Sequence, residues 1–333
     1  MSESLAVGVD IGGTNLRGVI ANEAGEFLFR EKEKINTKDK KGISRQIIKL
    51  VDDFCESAKI EVNDLKGIGI ASTGPMKRKE GVLIEPTNIP FDEVPLKEPI
   101  EKKIDIPVSL INDCIAGVLG EKEYGIGSER NVENLVYVTM GTGIGGGAIV
   151  DNHLLIGEGG NAAEIGHFTV DPEERLECGC GKKGHWEAYC SGKNIPNYLR
   201  LRFSEIGDER VQNSLLHDLV SGDYSEIDAK LFFDAVRKED ELANQIAEEI
   251  GNLNAIGFSN VIDAYAPSLI TVGGSVALKN EKIVLPPVQK QVKNHIRNIE
   301  PEIAITPLKE DVGLYGAVAE AFTSPNQSES RYL

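Results

Sequence analysis

Two glycine loops and two acids are the parts of this sequence best suited to chemistry. Val9-Asp10-Ile11-Gly12-Gly13-Thr14-Asn15 leaves an apolar run that begins at Leu5. Val138-Thr139-Met140-Gly141-Thr142-Gly143-Ile144-Gly145-Gly146-Gly147 leaves the apolar run Leu135-Val136-Tyr137. A shift of 129 positions overlays them: Asp10 meets Thr139, Gly12 meets Gly141, Gly18 meets Gly147 and the turn residue Asn22 meets Asp151. Each copy reads as strand, glycine turn, strand, turn. Glycine lets backbone N–H groups approach a bulky anion, and successive N–H groups form an anion-binding concavity. Two such loops facing each other would clamp a chain of phosphates, which points to a nucleotide-dependent phosphotransferase.

The acids stand at strand ends. Asp10 reads either as a turn or capping residue or as a ligand, direct or through water, for the Mg²⁺ that accompanies a nucleoside triphosphate. Asn112 or Asp113 can cap the helix that follows them. Asp113 can also act as the general base for a phosphoryl acceptor hydroxyl, with Asn112 positioning the substrate. The two roles are compatible, because a cap position fixes a side chain. The second loop matches G-x-G-x-x-G, but that fingerprint requires a helix next, and Gly147-Ala148-Ile149-Val150-Asp151-Asn152 reads as a strand running into a turn. This argues against an NAD-dependent oxidoreductase, the rival from another enzyme class. No G-x-x-x-x-G-K-[ST] is present. Farther along, His167, Cys178, Cys180 and His185 form a Cys₂His₂ set of the donor types that tetrahedral Zn²⁺ takes, though not at a common zinc-finger spacing. The plainer alternative is two reduced structural cysteines and two unrelated histidines. Cys55, Cys114 and Cys190 read as packed thiols.

These groups need a frame that collects them. Apolar runs at Leu5 to Ile11, Gly67 to Ser72, Val108 to Ile111, Leu135 to Met140 and Leu269 to Val272 each end in polar or glycine residues. In α/β folds ligands bind beyond the carboxyl ends of strands, where all the suspect residues lie. Helical periodicity covers Ile43 to Phe54, Asn112 to Glu123, Leu242 to Ala264 and Val312 to Phe322. A coarse boundary falls near Gly120 to Asn134. Charge-rich Ser204 to Asp228 reads as a surface helical excursion without nameable chemistry, and the polar residues after Thr323 read as frayed.

At 333 residues the chain has room for two domains with real cores. Its net charge of −17 argues against a nucleic-acid partner, which requires clustered Lys and Arg. No apolar run approaches the roughly 18 residues of a membrane helix, and the N-terminus lacks a basic region followed by an apolar stretch, so a cytoplasmic protein is expected. Five cysteines at uneven spacing do not make a secreted disulfide framework.

The ordered set Asp10-Ile11-Gly12-Gly13-Thr14, Asn112-Asp113, Gly141-Thr142-Gly143-Ile144-Gly145-Gly146-Gly147, Glu164-Ile165-Gly166-His167 and the Cys178 to Glu187 block ending in Ser191-Gly192 resembles the ROK family of the hexokinase–actin superfamily, over about residues 5 to 322. The resemblance implies a two-domain α/β fold, ribonuclease H-like or actin-like, with a cleft between domains. The expected division is residues 1–122, joined by a returning helix at about 312–325, and a larger domain of 123–311 with a zinc-binding segment at 167–185. It implies transfer from Mg-ATP to the 6-hydroxyl of a hexose, glucose being expected. N-acetylmannosamine, N-acetylglucosamine, fructose and mannose are alternatives, and another nucleotide or polyphosphate could be the donor. Asp113 would be the base, and Gly74, Asn88, Asn112, Glu164, His167 and Glu187 would hold the sugar. Gly12, Gly13, Thr14, Asn15, Thr142 and Gly143 would hold the phosphates, with Mg²⁺ near Asp10. Gly273, Gly274 and Gly313 fall where the family places the base, and a homodimer or homotetramer is the family's habit. Two departures stand out: His185 replaces the usual third zinc cysteine, and Ile89-Pro90-Phe91-Asp92 follows Asn88 where an aromatic is common. The family's DNA-binding repressors carry an N-terminal helix-turn-helix. Four residues before the first strand and an acidic composition predict an enzyme instead.

Overall fold

A computed structural model describes residues 4–86 and 89–323; Asn88 and the expected fraying after Thr323 lie outside the described residues. The chain divides into two compact units. The first comprises Met1–Tyr137, Gly147–Ala163 and Thr306–Leu333, and the second Val138–Gly146 and Glu164–Ile305.

Strand formation in the first unit follows from apolar patterning. β1 (Leu5–Ile11) is apolar at nearly every position and buried on both faces, as suits a central strand. It pairs antiparallel with β2 (Asn15–Asn22) and parallel with β4 (Leu65–Ser72). β3 (Phe27–Lys34) forms one edge, and its charged run Arg30-Glu31-Lys32-Glu33-Lys34 discourages further pairing there. β8 (Val108–Asn112) forms the other, giving the order β3-β2-β1-β4-β8. A small antiparallel sheet contains β5 (Met76–Lys77), β6 (Val82–Ile84) and β7 (Glu93–Pro95). Helix α1 (Gly42–Ala58) buries Ile43, Ile47, Leu50, Val51 and Phe54 into the core shared with Val9, Ile70 and Leu110. The short α2 (Lys97–Glu101) precedes β8, and α3 (Asp113–Tyr124) and α4 (Ile126–Glu129) follow it. The last helix, α12 (Val312–Phe322), packs on α3, β1 and β4.

β9 (Leu135–Met140) and β10 (Ile144–Val150) repeat the first hairpin in a second sheet of order β11-β10-β9-β12-β13, with β11 at His153–Leu154, β12 at Leu269–Gly273 and β13 at Glu302–Ile305. The second unit also carries α5 (Glu187–Cys190), α6 (Ile195–Ile206), α7 (Asp208–Gln212), α8 (Leu215–Leu219), α9 (Ala229–Arg237), α10 (Glu241–Tyr265) and α11 (Ser275–Gln291). The Ser204 to Asp228 excursion thus becomes the end of α6 and two short helices. Trp186, fully buried, anchors α10 by donating from Nε1 to Asn254 Oδ1 at 2.8 Å and meeting Phe258 edge-on. No helix among the described residues is long and apolar enough to cross a membrane.

Two glycines set how closely α12 approaches its neighbours. A Cβ on Gly69 of β4 would overlap the carbonyl of Ala317, and one on Gly316 would overlap that of Ala116 on α3. Backbone cannot retreat as a flexible side chain can, so the helices must part to admit a methyl group. Gly316→Ala is therefore expected to destabilise the protein by about 1–3 kcal/mol, the usual range for overpacking, read from denaturant unfolding. A change within about 0.5 kcal/mol, typical of unconstrained sites, would refute this packing.

Candidate active site

Asp10, the next-to-last residue of β1, is half-buried. The register of the first hairpin sets it opposite Arg17, whose Nε donates to Asp10 Oδ2 at 3.1 Å, with Nη2 closing the same pair. Arg17 also donates from Nη1 to the Glu310 carbonyl at 2.8 Å, which ties the hairpin to the approach of α12. Gly313 sits against the Asp10 carboxylate, about 3.7 Å from where its Cβ would be. The loop itself, Gly12-Gly13-Thr14, is exposed, and the Gly12 N–H closes it onto the Asn15 carbonyl at 3.0 Å.

Asp113 is the first residue of α3. Asn112 caps that helix, its Oδ1 accepting from Cys114 N at 2.9 Å and Ile115 N at 3.2 Å. Capping satisfies N–H groups that a helix start leaves orphaned. Only the amide nitrogen of Asn112 therefore remains uncommitted by the cap. Asp113 Oδ1 accepts from Cys114 N at 2.9 Å, and Oδ2 accepts from Thr73 Oγ1 at 3.2 Å. Part of the Asp113 surface stays accessible, yet protein atoms crowd its carboxyl. That desolvation, with the charge of Asp10 second, pushes its pKa above the ordinary carboxylate value; the Cys114 and Thr73 hydrogen bonds oppose the shift without cancelling it. Gly74 follows Thr73 and lies against the Asn161 side chain. The first unit thus brings Asp10, Gly12, Gly13, Thr14, Asn15, Gly74, Asn112 and Asp113 onto one sheet and its loops.

The second unit holds the others. The second loop closes like the first, the Gly141 N–H donating to the Gly143 carbonyl at 2.9 Å. Gly192 N donates to the Gly141 carbonyl at 2.8 Å and Lys193 N to that of Thr142 at 3.2 Å, which fixes the loop to the chain after α5. Glu187 Oε2 accepts from Ile144 N at 2.9 Å beside Gly143, and Oε1 accepts from Cys178 Sγ at 3.6 Å. Glu164 is exposed and lies 3.8 Å from His167 Nδ1. Gly273 ends β12, and Gly274, at φ +83°, backs onto Met140 where no side chain would fit.

His167, Cys178, Cys180 and His185 converge, with one donor atom from each lying within 4.8 Å of the others. Cys180 Sγ is 3.3 Å from His185 Nδ1. Burial pushes the Cys178 thiol up to about 12. It also lowers the pKa of His185, with His167 adding to the effect. Two thiols and two imidazoles held this close suit a tetrahedral metal with soft and borderline ligands.

Arg17 was missed in the sequence although a signal existed: extending the hairpin back from its glycine turn pairs position 17 with position 10. Thr73 and Asn161 carried no such signal, because their contacts join segments 40 and 87 residues apart.

A model of the ROK family matches residues 6–322. The chain is 32% identical over 320 residues to a glucokinase of Pyrobaculum calidifontis, covering 96% of this chain and 95% of that protein. A ROK family glucokinase from Streptomyces griseus, crystallised in complex with glucose and AMPPNP, is 30% identical and superposes with a TM-score of 0.73 over 95% of this chain and 98% of that one. A ROK hexokinase from Thermus thermophilus, at 23% identity, shares the fold with a TM-score of 0.80 over 96% of this chain and 98% of that one. Fold and site together define a member of the two-domain, actin-like ATPase class. Within that class, the chain belongs to the ROK family.

The Thr73 hydroxyl stabilises the ionised form of Asp113, so removing it should favour the protonated form. Thr73→Val is expected to raise the Asp113 pKa further, followed by carboxyl-carbon NMR titration. A fall, or no movement, would mean that the hydroxyl does not stabilise the Asp113 carboxylate.

Proposed function

We propose that this protein is an ATP-dependent hexose kinase that transfers the γ-phosphoryl group to the 6-hydroxyl of glucose. The observation that carries the reading is Asp113, a crowded carboxylate with a raised pKa, fixed at a helix start by Cys114 N–H and Thr73. It stands in a chain about 30% identical along nearly its whole length to glucokinases. A general base works best when its pKa approaches the working pH, and Asp113 is displaced in that direction.

In the proposed reaction the sugar O–H proton passes to an Asp113 carboxylate oxygen while the hydroxyl oxygen bonds to the γ-phosphorus. The bond from that phosphorus to the β–γ bridging oxygen breaks, and ADP leaves. Gly74, Asn88, Asn112, Glu164, His167 and Glu187 position the sugar. The loops Gly12 to Asn15 and Thr142-Gly143 hold the phosphates through backbone N–H groups and hydroxyls. Positioning and electrostatics account for most phosphoryl-transfer catalysis. Asp10 is an oxygen donor of the kind Mg²⁺ takes, and one or two carboxylates are its usual protein ligands. Such an ion would neutralise phosphate charge; Arg17 shares the same carboxylate and orients it. The division into a domain of 1–122 with the returning last helix and a larger domain of 123–311 belongs to the same reading.

Zinc is proposed for the Cys₂His₂ set. It would hold His167 directly, and Glu187 through its contact with Cys178. One zinc per chain is expected by elemental analysis. Cys178→Ser should lose it and lower the melting temperature. Full zinc retention in that variant would exclude this set.

A coupled assay across hexoses and N-acetylhexosamines tests the acceptor. Glucose is expected to give the highest kcat/KM, and a clear preference for an N-acetylhexosamine, fructose or mannose would replace it. Asp113→Asn is expected to leave glucose binding intact and cut turnover by roughly 10²–10⁴-fold. In the parent enzyme turnover should fall as pH drops through the raised Asp113 pKa, because only the ionised carboxylate accepts the proton. Unchanged turnover in the Asn variant would remove Asp113 from the role.

A further inference from the structure

Cys178 and Cys180 sit at the tip of a small hairpin, held by an isolated antiparallel bridge between Glu177 and Lys183. The Gly181 N–H donates to the Cys178 carbonyl at 2.9 Å, and the Cys178 N–H donates to the Lys182 carbonyl at 2.7 Å. The two cysteines therefore stand at the first and third corners of one tight turn. Even the first and fourth Cα atoms of such a turn lie within about 7 Å, and a disulfide spans Cα atoms about 4.4–6.8 Å apart. The two sulfurs already lie within 4.8 Å of each other.

The arms of this hairpin are pinned and its tip is free. Gly184 N donates to the Leu176 carbonyl at 3.0 Å, and Leu176 N donates to the Tyr189 hydroxyl at 2.9 Å. That hydroxyl donates in turn to the buried Asp171 Oδ2 at 2.6 Å. At the tip, a Cβ added to Gly179 or Gly181 would meet nothing within 4 Å. A turn with open space around it can close the remaining gap between two sulfurs without disturbing the arms.

Exposure separates the two thiols. Of the five cysteines, Cys180 is exposed, Cys114 is half-buried, and Cys55, Cys178 and Cys190 are buried. A dissolved oxidant meets Cys180 first, and Cys178 is the thiol beside it. An accessible cysteine next to a second that can resolve it is one mark of a reversible redox site. Where thiols are otherwise kept reduced, a disulfide of this kind is transient and redox-sensing. Because His185 stands in the place of a third cysteine, the set holds just two thiols, and one disulfide takes both. Disulfide sulfur is no longer the thiolate that ligates metal. Cys178 also donates to Glu187 Oε1 at 3.6 Å, a contact that requires its S–H.

We propose that Cys178 and Cys180 form a site of reversible oxidation by hydroperoxides, a modification that removes both sulfur donors from the Cys₂His₂ set and the Cys178 donor from Glu187. In the first step a hydrogen peroxide oxygen bonds to Cys180 Sγ, the O–O bond breaks, and Cys180 becomes a sulfenic acid as one water leaves. In the second, Cys178 Sγ bonds to that sulfur, the S–O bond breaks, and the departing oxygen carries the Cys178 proton away in a second water. Two thiols are oxidised and one hydrogen peroxide is reduced to two waters. The oxidation rests on the thiol pair alone; its effect on zinc rests on the reading of the four residues as a zinc site.

Peptide mapping of the full chain by mass spectrometry, after hydrogen peroxide and alkylation without reductant, tests it. The peptide carrying Cys178 and Cys180 is expected to lose two hydrogen atoms and to regain them with dithiothreitol. A chromogenic chelator should detect zinc released in step with that loss. Oxygen retained on Cys180 as a sulfinic or sulfonic acid overturns the proposal, and so does a disulfide from Cys178 to any cysteine other than Cys180. A pair that stays reduced at a peroxide excess that oxidises free glutathione overturns it as well. Cys180→Ser should leave Cys178 reduced under the same treatment, and oxidation of Cys178 in that variant would overturn the assignment of Cys180 as the thiol that reacts first. If the disulfide forms and the untreated protein holds no zinc, the zinc reading fails and the oxidation site stands.

Discussion

The carbonyl of Ala317 occupies the space a side chain on Gly69 would need, and the carbonyl of Ala116 does the same at Gly316. This contact of backbone against backbone joins the last helix to a central strand and to the helix that carries Asp113. Such packing leaves no compliant side chain between elements, so the position of one fixes the position of the others. Residues separated by some two hundred positions thereby form one rigid support. Asp113 is held at its far end by a cap, a backbone N–H and a hydroxyl, each supplied by a different residue.

Charge is distributed against the average of the chain. The chain is strongly acidic, yet cationic side chains border both glycine loops. Arg17 joins the first hairpin to the approach of α12 through Asp10 and the Glu310 carbonyl. Lys193, Lys230, Arg237 and Lys279 line a cavity beside Gly141 and Thr142. Both lie next to glycine loops, a kind of backbone whose N–H groups favour anions. Local chemistry, not net charge, therefore states what each loop can hold.

Much of the frame is legible in the sequence. β1, β9 and α12 have the boundaries that apolar runs and helical spacing give, because each is long, strongly patterned and bounded by glycine or polar residues. The repeat at 129 positions appears as two hairpins, β1–β2 and β9–β10, with their turns at the glycines. Asn112 is the cap of α3, as residue type and position suggest. The three strands of the small sheet were not legible. They are two or three residues long, too short to show a period of two, and pairing with neighbours defines them.

The sequence by itself determined the family, the glycine loops, the acids at strand ends and the set of two cysteines and two histidines, since each depends on residue type at short spacing. The tertiary structure alone decided which groups touch. It set Thr73 on Asp113, brought Cys178 to Glu187, gathered His167, Cys178, Cys180 and His185, and gave Asn280 to Arg237. It also set Gly313 beside the Asp10 carboxylate. The reason is that protonation, metal fit and ligand selectivity depend on desolvation and on which partners are already engaged. Both are properties of packing between segments far apart in the chain, and no local pattern of residues records them.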